Sequence, residues 1–321
     1  MVEDQSSGPG KLAAANALGQ LAIAHANKGN LEEAFRTLAR LKDRTRQDPP
    51  AIVGIVTANL AEAQAKHGDV DGAVETAMIL AGENPLPLMH IVGDRVRKGN
   101  LQAAQDIIAR LDDASQRYAQ WGIMQAQIEH GRLIDAQVTA SAIKPGHAKA
   151  SALLELATYH REHRGRPLAL TLLEEAEGSA RLTMNDWTRA DVLWRIAVET
   201  AMAGDADRAM SIAKSIEQDG HRSSAIYDVA QAQAKRGDFA GAFNTASLLK
   251  QPPLTTALKV SHYDSALSNI LMEMVKAGKG KEARDTAAGF QDAEIRRSWL
   301  YSGIAEAYAQ LGNVKAAKAA L

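Results

Sequence analysis

Apolar positions recur along the chain in short blocks of helical spacing, and the blocks come in pairs divided by a glycine. In one such pair Ile226, Val229, Ala230 and Gln233 fall at i, i+3, i+4 and i+7 ahead of Gly237, which is one stripe of a helix. Beyond that glycine, Ala242, Ala246 and Leu249 repeat the spacing on a second helix. We name the two helices A and B. Glycine reaches the left-handed conformation that ends helix A at low cost, and the Asp or Asn beside it suits the turn and the start of helix B. Asn30, Asp69, Asn100, Asp205, Asp238 and Asn313 occupy that place.

The pair repeats. Gly29, Gly68, Gly99, Gly131, Gly204, Gly237, Gly278 and Gly312 are each followed five residues later by an alanine: Ala34, Ala73, Ala104, Ala136, Ala209, Ala242, Ala283 and Ala317. A degenerate member has Arg164 in the glycine slot, Gly165 beside it and Ala169 in the alanine slot, which brings the units to nine at intervals of 31 to 41 residues. Self-similarity at such a period predicts a solenoid. A small residue at the alanine slot lets helix B lie close against helix A. Pro49 with Pro50, Pro85, Pro145, and Pro252 with Pro253 fall where helix B hands over to the next helix A, and they mark unit boundaries. The period breaks twice: a longer helix B is expected after Gly165, with a fresh start near Asn185 or Asp186, and QPPLTTALKVSHYDSAL adds residues after Gly237.

The pattern resembles the tetratricopeptide repeat. In the last unit Tyr301, Ile304, Ala305, Tyr308, Gly312, Ala317 and Leu321 sit at the family's large, large, small, aromatic, Gly, Ala and large positions, and Pro85 matches its terminal Pro. The chain departs from the family at the aromatic position, which holds His25, Gln64, Gln127, Thr200 and Gln233, and in its uneven unit length. The resemblance implies an all-α fold, a right-handed α-α superhelix of about nine helix-turn-helix repeats over residues 12–321 as one domain, after a flexible segment of residues 1–11. It also implies that A helices line a concave surface through the residues 13, 10, 6 and 3 before each glycine. Those slots hold Tyr118, Trp121, Gln125 and Ile128 in the fourth unit, Asp191, Trp194, Val198 and Ala201 in the sixth, and Ser224, Tyr227, Gln231 and Ala234 in the seventh. Trp121, Trp194 and Tyr227 share the slot 10 before the glycine, with Met89 there in the third unit. Such rings either anchor a partner in a groove or pack between neighbouring units, and the sequence leaves both open. Arg97, Glu129, Arg195, Asp228 and Lys235 add mixed charge along the same wall.

The family's clamp for chaperone tails needs Lys and Asn at the slots 10 and 6 before the glycine. Here they hold Ala58 and Glu62, Met89 and Gly93, Trp121 and Gln125, and Trp194 and Val198, so no clamp is expected.

Composition agrees with helices. Hydrophobic residues make up 46% of the 321 residues and aromatics only 4%, a balance suited to close helix packing rather than to a sheet. Lys+Arg 37 against Asp+Glu 38 leaves a net charge of -1, with no basic surplus to collect phosphates, so nucleic acid is not an expected partner. With no Cys, disulfides, thiolate metal sites and cysteine catalysis are excluded. The apolar stretch from Ala51 to Ala63 is interrupted by Thr57, Asn59 and Glu62, so no membrane insertion is expected. MVEDQSSGPG lacks the basic and apolar regions of a secretion signal, which leaves a soluble chain whose compartment stays open.

Candidate chemistry is sparse. His160 and His163 are three apart on a helix, but two ligands are too few for a metal site, and both are expected on a solvated surface. KAGKGKEA around Gly278 lacks the spacing and hydroxyl of a phosphate loop, and Glu174 with Glu175 reads as a solvated helix face. No cofactor, metal or catalytic centre is therefore expected. The leading expectation is an interaction scaffold for a protein or extended peptide, with the candidate groove at Met89, Arg97, Tyr118, Trp121, Gln125, Asp191, Trp194, Arg195, Tyr227, Asp228 and Gln231. A small-molecule or glycan binder is the alternative, and an enzyme comes third. The oligomeric state is left open.

Overall fold

The computed structural model describes residues 8–45, 51–80, 84–249, 261–290 and 294–320. Within them the chain is all-helical and solenoid-like, with 18 helices and no strand. They fall into two compact units, Met1–Lys144 and Pro145–Leu321. The first holds α1 (Gly8–Asn27), α2 (Leu31–Arg44), α3 (Ala51–Lys66), α4 (Val70–Met78), α5 (Leu86–Arg97), α6 (Leu101–Ala109), α7 (Asp113–Glu129) and α8 (Leu133–Ala142). The second holds α9 (His147–His163), α10 (Arg166–Arg181), α11 (Asp186–Ala203), α12 (Ala206–Lys214), α13 (Asp219–Lys235), α14 (Phe239–Ala246), α15 (His262–Lys276), α16 (Gly280–Ala288), α17 (Glu294–Gln310) and α18 (Val314–Lys318). Odd-numbered helices are A and even-numbered helices are B, so each of the nine anticipated pairs is present. α1 begins at Gly8, inside the segment expected to be flexible. Pro49, Pro50, Pro252, Pro253 and much of the QPPLTTALKVSHYDSAL insertion lie outside the described residues.

The turns form as their glycines require. All nine have positive φ, from 70° at Gly131 to 119° at Gly165. The amide after the glycine donates to the carbonyl five residues back, as from Asp238 to Gln233 at 3.0 Å and from Asp205 to Thr200 at 3.1 Å, which occupies a carbonyl that helix A leaves unpaired. In the degenerate pair Arg164 keeps φ at -128°, the left-handed residue moves to Gly165, and the Gly165 amide reaches the His160 carbonyl at 2.8 Å. Asp69, Asn100, Asp205, Asp238 and Asn313 each accept from the amide three residues on and so cap helix B; Asn30 does not. The long helix α10 ends at Arg181, and Asn185 caps the fresh start by accepting from the Thr188 amide at 2.9 Å.

The alanine slot is core in eight of the nine pairs. Ala34, Ala73, Ala104, Ala136, Ala169, Ala209, Ala242 and Ala283 are fully buried, and only Ala317, in the last pair, is partly exposed. A helices also approach one another closely. A Cβ on Gly122 of α7 would lie 2.3 Å from the Met89 carbonyl of α5, so the two backbones touch there. Met89 is 1% exposed beneath that contact, which corrects its assignment to a groove: the glycine draws α7 over it and makes it core.

Two pairs contain the same buried polar triad. The Gln64 amide donates to Asp69 at 2.8 Å and its carbonyl accepts from Thr76 at 2.7 Å; Gln233, Asp238 and Thr245 repeat this at 3.3 and 2.7 Å. Gly72 and Gly241 make room, since a Cβ on either would fall under 3 Å from both the Gln amide and the Asp carboxylate. Gln127 holds the same register in the fourth pair, but Arg132 and Asp135 replace the Asp and the second Gly, and its buried Oε1 has no partner.

The KAGKGKEA stretch is an ordinary A to B turn, with Gly278 at φ 80° and the Tyr308 hydroxyl filling the space beside Gly280. Among the described residues no helix is long and apolar enough to cross a membrane.

Candidate functional site

In the second unit the expected wall residues line up on consecutive A helices. Asp191, Trp194 and Val198 on α11, and Ser224, Tyr227 and Gln231 on α13, are all partly exposed, whereas Ala201 and Ala234, three before their glycines, are buried. α11 and α13 thus offer the slots 13, 10 and 6 before the glycine and bury the slot 3 before it. α7 of the first unit offers Tyr118, Trp121 and Gln125 in the same way, with Ile128 also partly exposed. The candidate residues therefore form two sets, each within its own unit: Arg97, Tyr118, Trp121 and Gln125 in the first, and Asp191, Trp194, Arg195, Tyr227, Asp228 and Gln231 in the second.

The rings are neither free nor core. The indole N–H of Trp194 donates to Oδ2 of Asp228 at 2.8 Å, and the Tyr227 hydroxyl accepts from the Asn269 amide at 2.8 Å. Both bonds run from the slot 10 before one glycine to the slot 9 before the next. Each ring is braced a second time: Trp194 lies edge-on to His221 at 6.1 Å between centroids, and Tyr227 lies against His262 at 5.5 Å. His221 also meets the exposed Trp187 ring edge-on at 4.2 Å.

Charge follows the same seams. Arg97 on α5 grips Glu129 on α7 through Nε at 2.6 Å and a terminal nitrogen at 3.2 Å, and that bond holds the Glu129 carboxyl below its ordinary value. His90 bonds Glu62 at 2.9 Å and is raised by it. Arg161 on α9 pairs with Glu199 on α11. Burial pushes the Asp228 carboxyl up, partly offset by the Trp194 bond, and raises the Tyr227 phenol. Burial also lowers His147, helped by the nearby Arg195 and opposed by Asp191. Ser151 lies 3.4 Å from His147 but is 1% exposed, so it is a contact within α9 and not an accessible nucleophile.

One histidine departs from expectation. His163 is on the surface as anticipated, but His160 is 6% exposed with both ring nitrogens unpartnered, and burial lowers it. It takes the slot four before Arg164, the register of the family's buried aromatic, and that register was the signal for it. Asn269 and His262 were also missed, although Asn269 is nine residues before Gly278 just as Asp228 is nine before Gly237.

Among the described residues no cluster of His, Cys, Asp or Glu is set to hold a metal. The crevices are shallow. One of about 220 Å³ adjoins Tyr227's partner and is lined by Gln231, Lys235, Asn269, Met272, Glu273 and Lys276; another of about 340 Å³ lies between α6, α7 and α8. Both sit at or below the small end of ordinary ligand pockets.

No family model matches the sequence, and neither does any curated protein. Among solved structures, NprR in complex with its cognate peptide NprX is similar at 13% identity and a TM-score of 0.31, over 96% of this chain and 87% of that one. The apo form of the quorum sensor NprR from B. thuringiensis gives 11%, a TM-score of 0.32, and 95% and 96% coverage. A circular tandem repeat protein with novel repeat topology and enhanced subunit contact surfaces gives 13%, a TM-score of 0.20, and 97% and 75%. Such values transfer nothing specific. The class, an all-α protein of stacked helix pairs, rests on this chain's own helices and turns.

Proposed function

We propose that the chain is an interaction scaffold that binds a protein or extended peptide along the A helices of its second unit, with Trp194 and Tyr227 as apolar anchors. The observation that carries this reading is the shared exposure of three wall slots on both α11 and α13, with rings fixed at the same slot of each. Rings held by hydrogen bonds lose little further freedom when covered, which favours their use as anchors. Catalysis forms no part of the proposal.

The test is a peptide array probed with the wild-type protein and two variants. Trp194→Ala should weaken the bound peptides by about 2 kcal/mol, roughly thirtyfold, whereas Lys214→Ala on the exposed face of α12 should leave them unchanged. Hydrogen exchange with a bound peptide should be slowed on both α11 and α13. Protection limited to the walls of one crevice points instead to a small molecule, and a Trp194→Ala protein that melts early yet binds normally when folded defeats the proposal.

A further inference from the structure

We infer that the Asp228 carboxylate, bonded to the Trp194 indole and next to Tyr227 along α13, is a subsite for a cationic side chain, an ammonium or a guanidinium, of the bound segment. This inference deepens the A-helix reading above and rests on it. The argument begins with a missing counter-charge. Several A-helix carboxylates are neutralised inside the chain: Glu129 by Arg97, Glu199 by Arg161 and Glu273 by Lys276. Among the described residues Asp228 has one bond, from a neutral indole, and no Lys, Arg or His nitrogen comes within ion-pair distance of it. The charged groups that act on it from farther away are Lys235, two turns along its own helix, and His262 on α15.

A partly buried carboxylate without a cation bears a desolvation cost that a bound cation offsets, and the raised titration of Asp228 expresses that cost. The bond from Trp194 uses Oδ2, while among the described residues no hydrogen bond consumes Oδ1. The Trp194 indole meets the carboxylate with its N–H edge, Tyr227 precedes Asp228 on α13, and each ring carries its own hydrogen bond and is partly exposed. Aromatic faces attract cations through their quadrupole, Trp most strongly, and a cation held at this carboxylate gains a charge-assisted hydrogen bond beside such a ring. An anionic or purely aliphatic side chain gains neither. The chemistry on offer therefore selects Lys or Arg.

The experiment uses the full chain and three capped tripeptide probes, Ac-Ala-Lys-Ala-NH2, Ac-Ala-Arg-Ala-NH2 and the uncharged norleucine analogue, titrated at low salt. The readout is the Trp194 indole N–H resonance, assigned by its disappearance in Trp194→Phe. The two cationic probes should shift it saturably with about tenfold or greater preference over norleucine, and added salt should weaken them. Asp228→Asn keeps an acceptor for the indole and so preserves the contact to α13, yet it should abolish the preference for charge. Equal shifts by all three probes, no shift by any, or an unchanged preference in folded Asp228→Asn each overturn the inference. These failures are distinct from failure of the scaffold reading, which is decided by the array with Trp194→Ala and requires no cationic residue in the peptides.

Discussion

Gly122 of α7 rests on the Met89 backbone of α5 so closely that a single added methyl would meet the Met89 carbonyl at 2.3 Å. A rigid backbone atom cannot give way as a side-chain tip can, so the two A helices would have to separate.

Gly122→Ala should therefore destabilise the first unit by about 1–3 kcal/mol, although Ala is the better helix former by about 1 kcal/mol. Gly178→Ala on α10, where nothing lies within 4 Å of the new methyl, should stabilise by about 0.5–1 kcal/mol. Denaturant unfolding of both variants checks the pair. A shift of the same sign in both would mean that the approach of α5 and α7 is not as described.

Ala242→Leu tests whether the structure is built from neighbours. Ala242 is fully buried between α13 and α14, and three extra carbons there should cost about 1–3 kcal/mol. In a stack where each pair touches only the next, the damage stays local. Hydrogen exchange should quicken most in α13 and α14. Uniform loss of protection throughout the chain would contradict a solenoid.

His160 gives the second unit an acid sensitivity. Burial holds its folded-state value below the ordinary imidazole range, so below about pH 6.5 the unfolded chain binds a proton that the folded chain resists. Its contribution is thus complete above that pH and declines as pH falls. In His160→Leu the loss of stability between neutral and mildly acidic pH should be smaller than in the wild type. Parallel stability curves for the two proteins would show that the ring ionises without penalty.

The unfinished triad at Gln127 predicts coupling between two changes. Arg132→Asp supplies the missing acceptor and a helix cap, and Asp135→Gly supplies the space that Gly72 and Gly241 give the complete triads. Together they should raise stability by about 1 kcal/mol more than the sum of the single variants, because neither assembles the network alone. A thermal or urea double-mutant cycle reads this directly, and simple additivity would refute it.

Much of the fold was legible because turn chemistry is local. Gly237 and Asp238 announce a turn and a cap within two residues, and Ala242 announces a close contact one turn later. The site was less so. That Trp194 sits 10 before its glycine was readable, but that its indole meets Asp228 depends on the stagger between α11 and α13, which lies outside either helix's own pattern. Met89 shows the limit: it shares the slot of Trp194, yet the glycine that buries it is 33 positions along the chain at Gly122. His160 was concealed for a simpler reason, since the degenerate turn at Arg164 blurred the register that would have placed it inside.

The bonds from the slot 10 before one glycine to the slot 9 before the next belong to the joints between modules and not to any module. Splicing out residues 205–237 would remove one helix pair, and with it Ser224, Tyr227, Asp228 and Gln231, while joining two intact turns and leaving Trp194 to face Asn269 in place of Asp228 at the new joint. A chain that gained or lost a module in this way would carry a different polar wall although every side chain it kept was unaltered.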